Sequence, residues 1–256
     1  MFQPLPFSIG LRYLRAKRRN GFISFISLAS ILGIIIGVIA LITTISVMSG
    51  FQQELRERML AMVAHATVSG VDGPLQDWPR AVALADADPR VMGAAPYTET
   101  EALLQGRQRR GAIIRGVLPS HEPKVSEIAG MMKQGSLDLL QPGEFNIILG
   151  RELAILLGVG PGDAVNVFIS ESTVTPLGAL PRAKRFNVVG IFEAGAQEYD
   201  LGMALVHLQD AQRLGRMGEG VTGVRLKLVD LWEAWPVARD LSDKMDGFYR
   251  VRDWMR

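Results

Sequence analysis

The hydrophobic pattern of the chain is dominated by one uninterrupted apolar run near the N-terminus. No charged residue occurs from Asn20 to Gln53, and 16 of the residues from Phe22 to Met48 are Phe, Ile, Leu or Val. A membrane-spanning helix needs about 20 mostly apolar residues, and each such side chain favours insertion by about 0.3 to 0.6 kcal/mol. A cleaved signal peptide has a shorter apolar core, of about 7 to 15 residues. The pattern therefore predicts an uncleaved transmembrane helix over residues 21–49.

Beyond this run the helical pattern continues with one apolar and one polar face. Apolar residues recur at helical spacing, with charged or amide side chains between them, at Phe51, Leu55, Met59 and Met62. We expect one continuous helix from Gly21 to Val63, about 65 Å long, which is about twice the thickness of the hydrocarbon layer. Residues 50–64 would then form a stalk that raises the following domain above the bilayer.

The first nineteen residues carry five cationic side chains and no acidic one, at Arg12, Arg15, Lys17, Arg18 and Arg19. Because Lys and Arg beside a span are retained in the cytoplasm, the N-terminus is predicted to be cytoplasmic and the large domain to lie outside. Residues 1–20 read as a basic amphipathic helix in the headgroup layer, with a flexible tail as the alternative. Without those five, 23 Lys and Arg remain beside 26 Asp and Glu, so the rest of the chain has a net charge of about −3. This charge gives no support to nucleic-acid binding.

Small side chains recur along one face of the predicted span, at Ser30, Gly33, Gly37, Ala40 and Thr44. Such a face lets another helix approach closely, because helices associate in lipid through packing and not through hydrophobic exclusion. We interpret it as a helix-packing face. An ordinary lipid-facing surface remains the alternative.

The region after the stalk is large enough to fold on its own, contains no cysteine and shows a mixed α and β pattern. Strand, helix and strand signals occur twice, in residues 65–117 and again in 221–256. This arrangement predicts an α+β fold, a split β-α-β sandwich interrupted by an inserted, mostly-β lobe over residues 118–220. A glycine cluster in the lobe, residues 158–163, precedes a strand and not a helix, so we interpret it as a turn and not as a phosphate loop.

The most informative part of the lobe is an apolar, proline-containing segment at residues 172–184, which we call the hook. It is predicted as a connection between strands that is about twice the usual length of a hairpin loop. Proline stiffens such a loop and removes amide donors, so its apolar side chains would either enter a partner or fold back on the lobe. The candidate binding residues are Val174, Thr175, Pro176, Leu177, Gly178, Ala179, Leu180, Pro181, Arg182 and Lys184.

Catalytic patterns are missing from the sequence. It has no G-x-x-x-x-G-K-[ST] loop, no G-x-S-x-G and no cysteine. Its three histidines, His65, His121 and His207, do not have the spacing of a zinc site. We therefore predict no catalytic residue, no metal site and no cofactor in this chain.

Several segments in the same order resemble the lipoprotein-releasing ABC permeases of the LolC/LolE type. They are Phe7-Ser8-Ile9-Gly10-Leu11-Arg12-Tyr13, Ser46-Val47-Met48-Ser49-Gly50-Phe51, the turn from Leu157 to Asp163, Thr175-Pro176-Leu177-Gly178, and Phe186-Asn187-Val188-Val189-Gly190. The resemblance covers essentially the whole chain and implies the periplasmic domain that such permeases share with MacB-like proteins. It also implies the inner membrane of Gram-negative bacteria as the location.

The resemblance implies a set of partners. These are a second permease subunit, identical or homologous, a cytoplasmic ABC ATPase dimer that uses ATP and Mg²⁺, a triacylated lipoprotein as substrate, and a periplasmic lipoprotein carrier that docks on the hook. The outer half of the span would line a lateral opening for acyl chains, through Leu41, Ile45, Met48 and Phe51. Generic packing of these four side chains is the alternative.

The chain departs from the resembled family in two respects. Three further spans and a helix that couples to the ATPase are missing, and the hook favours LolC whereas residues 221–228 resemble LolE equally well. We therefore expect an N-terminal part of a permease. A LolC-like, a LolE-like and a dual-role subunit all remain open. A MacB-like efflux permease and a single-span sensor with an outer ligand-binding domain are the alternative functions.

Overall fold

A computed structural model describes residues 21–62, 64–71, 73–175, 178–245 and 249–253 of the chain. The chain divides into two compact units, residues 1–55 and 56–256. The predicted basic amphipathic segment, residues 1–20, lies outside the described residues.

The described helices and strands follow one another as an α+β chain with a long N-terminal helix. The helices are α1 (Gly21–Met62), α2 (Trp78–Asp86), α3 (Glu122–Val125), α4 (Arg151–Leu157), α5 (Gln197–Gly202), α6 (Leu208–Gly215) and α7 (Ala234–Lys244). The strands are β1 (Ala66–Gly70), β2 (Val91–Gln105), β3 (Arg109–Val117), β4 (Met132–Gln134), β5 (Asn146–Gly150), β6 (Ala164–Thr175), β7 (Gly178–Phe192), β8 (Met203–His207), β9 (Gly223–Leu228) and β10 (Tyr249–Asp253). Short 3₁₀ turns cover Ile128–Met131, Leu137–Leu139 and Leu231–Glu233.

Helix α1 confirms the predicted continuous helix. Its segment Phe25–Gln52 is long and apolar enough to cross a membrane, and none of the apolar window within it is buried in the described chain. Ile34 and Val47, for example, are each 67% exposed. Uncharged, apolar and unburied side chains over this length fit a helix surrounded by lipid.

Two strand-helix-strand units form the split sandwich that the sequence predicts. The first is β1-α2-β2 and the second is β9-α7-β10, and their strands lie in the order β10-β1-β9-β2, each antiparallel to its neighbour. Helices α2 and α7 pack on one face of this sheet, where Val68, Val224 and Leu226 are fully buried. The other face is turned away from these helices.

The strands between the two units close into a ring. Hydrogen bonding runs from β2 to β3, β8, β5, β7 and β6 and returns to β2, while β4 pairs with β7 outside the ring. Leu104, Ile147 and Phe186 are fully buried in its core. Strand β2 serves both sheets, since its first half pairs with β9 and its last residues pair with β6. The domain boundary predicted between residues 117 and 118 stays a prediction. Strand β3, which ends at Val117, pairs with β2 on one side and with β8, a strand of the lobe, on the other.

Several elements of the lobe were not predicted from the sequence. These are α3, β4, α5, β8 and α6. Strand β8 is buried at all five positions, so it shows no alternation of polar and apolar residues that would signal a strand. The glycine turn was predicted correctly, because Gly158 ends α4 in the left-handed region and Gly162 has a φ of 95°.

The hook is a paired hairpin and not the long loop that the sequence predicts. Strands β6 and β7 continue through it, with Ser172 opposite Pro181 and Thr175 opposite Gly178. The β-branched run before the tip favours a strand, and a proline is tolerated where a two-stranded ribbon leaves one edge of each strand free. The register shifts between Ile169 and Ser172, which marks a bulge at the base of the ribbon.

Two buried histidines accept backbone hydrogen bonds and so favour their neutral form. The amide of Leu228 donates to Nδ1 of His65 at 3.0 Å, and the amide of Gln209 donates to Nδ1 of His207 at 3.2 Å. His65 is 9% and His207 7% exposed, and burial lowers the pKa of both below the ordinary value of 6.5.

The two buried histidines, His65 and His207, predict a loss of stability in mildly acidic solution. Because both pKa values are lowered in the folded protein, the unfolded chain takes up protons first as the pH falls. The contribution of the two neutral histidines to stability is therefore complete above pH 6.5 and is lost as the pH falls through the folded pKa values. We expect the free energy of unfolding, measured by denaturant titration of the whole chain in neutral detergent, to decrease below pH 6.5. His65→Gln and His207→Asn should each flatten that decrease. An unchanged slope in both variants would contradict the prediction.

Candidate functional sites on the helix and the hook

The hook's backbone is held by strand pairing, and its base is anchored by side chains. Pro176 and Leu177 lie outside the described residues, and for Val174, Thr175 and Gly178 to Pro181 the structure describes the backbone pairing alone. Arg182 is half-buried and Lys184 exposed.

Lys184, one of the cations among the candidate residues of the hook, contacts an aromatic side chain. The Lys184 ammonium lies 3.8 Å from the centre of the Phe145 ring, a favourable cation-π contact. Phe145 in turn packs edge-to-face on Phe186 at 5.5 Å between ring centres. Lys184 therefore joins the base of the hook to the ring core as well as presenting a charge to solvent.

The two residue sets predicted on α1 are both unburied and lie on nearly the same side of the helix. Gly33 and Gly37 have nothing within 4 Å of where a Cβ would stand, and Met48 and Phe51 are 57% and 59% exposed. At 100° per residue, the centre of the small set, Ser30 to Thr44, and the centre of the large set, Leu41 to Phe51, differ by about 45°. The small residues occupy the part of this side nearer Gly21, and the large ones the part nearer Gln52.

The hydroxyl of Thr44 is satisfied within the helix. It donates to the carbonyl oxygen of Ala40 at 2.8 Å. Thr44 therefore presents its methyl group outward at little polar cost, which suits a face that packs against a neighbouring helix in lipid.

A buried ion pair that the sequence did not reveal ties the lobe to the split sandwich. The guanidinium of Arg225 donates to the carboxylate of Glu122, and these residues are 3% and 2% exposed. Ser126 donates a second hydrogen bond to Glu122 at 2.7 Å. Burial acts to raise the pKa of Glu122, but the charge and hydrogen bonds of Arg225 and Ser126 lower it below its ordinary value. The pair thus keeps Glu122 ionised and holds α3 against β9.

Beside this pair is a polar cleft of about 860 Å³ on the sheet face turned away from α2 and α7. We call it the arginine cleft, because five arginines line it: Arg115, Arg216, Arg225, Arg250 and Arg252. The acidic residues in its lining are Glu99 and Glu101. Its signal in the sequence was the alternation of Arg250, Val251 and Arg252, which was interpreted only as extended chain.

Metal-binding side chains do not come together in this part of the chain. Among the residues that the structure describes, no group of three His, Asp or Glu side chains could hold an ion.

Comparison with known proteins shows the family. Residues 27–242 match the MacB-like periplasmic core domain. All of the chain aligns, at 60% identity, with 62% of the lipoprotein-releasing system transmembrane protein LolC of Xylella fastidiosa strain 9a5c. The LolC protein of Neisseria meningitidis serogroup B is 45% identical over 96% of this chain and 60% of its own length. The chain thus spans about three-fifths of these relatives.

A solved structure is similar at low identity. The periplasmic region of MacB from Actinobacillus actinomycetemcomitans has a TM-score of 0.49 and 13% identity, over 73% of this chain and 87% of that one. The predicted α+β class and the predicted resemblance to LolC/LolE-type permeases are both confirmed by the family match and the relatives. The chain belongs to the family of MacB-like periplasmic core domains.

Proposed function

We propose that this chain is part of an ABC permease that extracts lipoproteins from the outer leaflet of the inner membrane and transfers them to a periplasmic carrier. The observation that supports it most is the 60% identity over the whole chain with a protein named as the LolC component of a lipoprotein-releasing system. In this proposal α1 crosses the inner membrane, the N-terminus is cytoplasmic and residues 64–253 are periplasmic. The cations of residues 1–20 support that orientation.

The chain itself is proposed to be non-catalytic. ATP hydrolysis, with Mg²⁺, would belong to a separate ATPase dimer in the cytoplasm, since the sequence holds no P-loop. A second permease subunit would pack against the small-residue face of α1. Gly33 and Gly37 carry no side chain on that face, so a partner helix can approach to backbone distance at these two positions.

The shape of this side of α1 suits a lateral opening for acyl chains. A partner helix that packs closely on the small residues is held further away where Met48 and Phe51 begin, so the gap widens toward the outer end of the span. Met48 is flexible and polarisable, which suits lipid tails of variable shape. Leu41 and Ile45 would line the narrow end of this gap.

The hook is proposed as the docking site of the carrier. Its paired backbone holds the apolar tip on a stiff ribbon, and a preformed element loses little conformational freedom on binding. Burial of Val174, Leu177 and Leu180 would contribute about 1.5 to 3 kcal/mol each before the cost of association. Arg182 and Lys184 at the base would steer the encounter.

A pull-down with the carrier tests this proposal against the other two functions. The whole chain, tagged and held in neutral detergent, should retain the purified periplasmic lipoprotein carrier. A variant with Val174, Leu177 and Leu180 all changed to Ser should lose at least about tenfold in affinity, because three apolar contacts are removed. Equal retention by both would overturn the docking role. No retention by the unaltered chain would favour the MacB-like efflux permease or the sensor.

A further inference from the structure

The arginine cleft has a floor of small residues between two groups of cations. In the sheet, Arg252 lies opposite Thr67 and Thr67 opposite Arg225, while Arg250 lies opposite Ser69 and Ser69 opposite Gly223. Residues paired in this way project from the same face of a sheet. Thr67, Ser69 and Gly223 therefore leave an open trough with Arg250 and Arg252 along one wall.

Two of these arginines are exposed cations without a counter-ion among the described residues. Arg250 and Arg252 are both exposed, and neither forms an ion pair with any residue that the structure describes. They sit two residues apart on β10, so their positions differ by about 7 Å. Strand β10 pairs with β1 and, among the described strands, with no other, which leaves its outer edge open.

The opposite wall is formed by two largely buried arginines that are paired with acidic residues. Arg115 donates to Glu99 at 3.0 Å and Arg225 to Glu122, and the buried Nε–H of each arginine has no acceptor among the described residues. The Arg225 guanidinium also lies 5.6 Å from the centre of the Tyr97 ring. Arg225 stands two strands from Arg252, about 10 Å away. Arg250 and Arg252 therefore carry the exposed positive charge along the trough.

We propose that the arginine cleft binds an extended acidic segment of a partner protein, with carboxylates at alternate positions on Arg250 and Arg252 and the chain running along the trough of Thr67 and Ser69. Side chains on one face of an extended peptide recur every 7 Å or so, which matches the spacing of the two exposed arginines. Arginine and carboxylate form bidentate hydrogen bonds that suit this contact.

The geometry favours a peptide over a single phosphate group. Arginines that converged on one point would indicate a phosphate, but Arg225 and Arg252 are about 10 Å apart in a cleft of about 860 Å³. A peptide with carboxylates at alternate positions can contact Arg250 and Arg252 at once. This inference goes beyond the proposed function and does not depend on the hook.

Fluorescence anisotropy tests the proposal with the whole chain in neutral detergent. The probe is a fluorescein-labelled peptide in which Glu alternates with Ala, and the comparison peptide has Gln at every Glu position. We expect the Glu peptide to bind at least about tenfold more tightly, and the difference to shrink as salt screens the charges. Equal affinity of the two peptides would mean that the arginines only protect the sheet edge from aggregation, and the proposal would fail.

A charge-reversal pair locates the contact. Arg250→Glu with Arg252→Glu should weaken the Glu peptide at least about tenfold, because two attractive contacts become repulsive. Arg239→Glu is the matched control, since Arg239 is an exposed cation on α7, which packs on the opposite sheet face. An equal loss in the control would show a general charge effect and refute the site. Binding of inorganic phosphate or of phosphatidylglycerol vesicles in place of the peptide would refute the peptide as occupant.

Discussion

Replacing Glu122 by Gln is expected to destabilise the folded domain by about 3 to 5 kcal/mol. The substitution leaves the Arg225 guanidinium buried without its counter-charge, and an uncompensated buried charge is the costly part of a broken ion pair. Arg225 is 3% exposed, so water cannot replace the lost carboxylate. The measurement is the free energy of unfolding of the whole chain by denaturant titration in neutral detergent.

The double variant Glu122→Gln with Arg225→Met separates the pair from the packing around it. Removal of both charges should recover most of the lost stability, because the desolvation cost of the pair disappears together with its attraction. The coupling free energy from the double-mutant cycle should then be about 2 to 3 kcal/mol. Equal losses in the single and double variants would contradict the assignment of Arg225 as the main partner.

The pH dependence gives an independent readout of the same pair. The pKa of Glu122 is lowered from 4.5 in the folded protein, so its contribution is complete above pH 4.5 and is lost as the pH falls through the folded pKa. The unaltered chain should therefore lose more stability on acidification below pH 4.5 than the double variant does.

Local patterns in the sequence were sufficient for elements whose signals are local. Helix α1 follows from an unbroken apolar run, α2 from Pro79 at its first turn and its apolar spacing, and α4 from the glycine that ends it. The paired strands β2 and β3 follow from alternation around a polar turn. In each case the residues that decide the structure lie within one element or beside it.

Contacts between distant parts of the chain were not predictable in the same way. Glu122 and Arg225 are 103 residues apart, and neither stands in a pattern that marks it as buried. The arginine cleft needs β10, β1 and β9 side by side, which sequence spacing alone does not fix. The prolines of the hook indicate a loop, whereas the β-branched run before its tip favours a strand. In the structure the strand pairing continues to Thr175 and Gly178.

The hook's revised geometry changes what docking requires of it. A free loop would have to be ordered on binding, which costs free energy for each residue that becomes fixed. A paired ribbon with a bulge at its base is already ordered up to Thr175 and from Gly178 onward. The proposed carrier contact can therefore be tight with few apolar side chains, and the proposed extraction step becomes the part of the function that depends most on α1.

Replacing Met48 and Phe51 by Asn is expected to reduce lipoprotein release by the assembled transporter at least about tenfold. Each apolar side chain buried against an acyl chain is worth about 1.5 to 3 kcal/mol, and a free-energy change of about 1.4 kcal/mol is a factor of ten. The measurement is transfer of a triacylated lipoprotein from proteoliposomes to the carrier. The rate of ATP hydrolysis without substrate serves to show that the transporter is still assembled.

Val47→Asn is the matched control for Met48→Asn. Val47 is the preceding residue at the same depth, is 67% exposed against 57% for Met48, and points about 100° away around the helix. An Asn at either position disturbs insertion to a similar extent, so only a specific contact with the acyl chain distinguishes them. Release should fall with Met48→Asn and stay near the unaltered rate with Val47→Asn. Equal rates for these two variants would show that the side of α1 bearing Met48 does not face the lipid substrate.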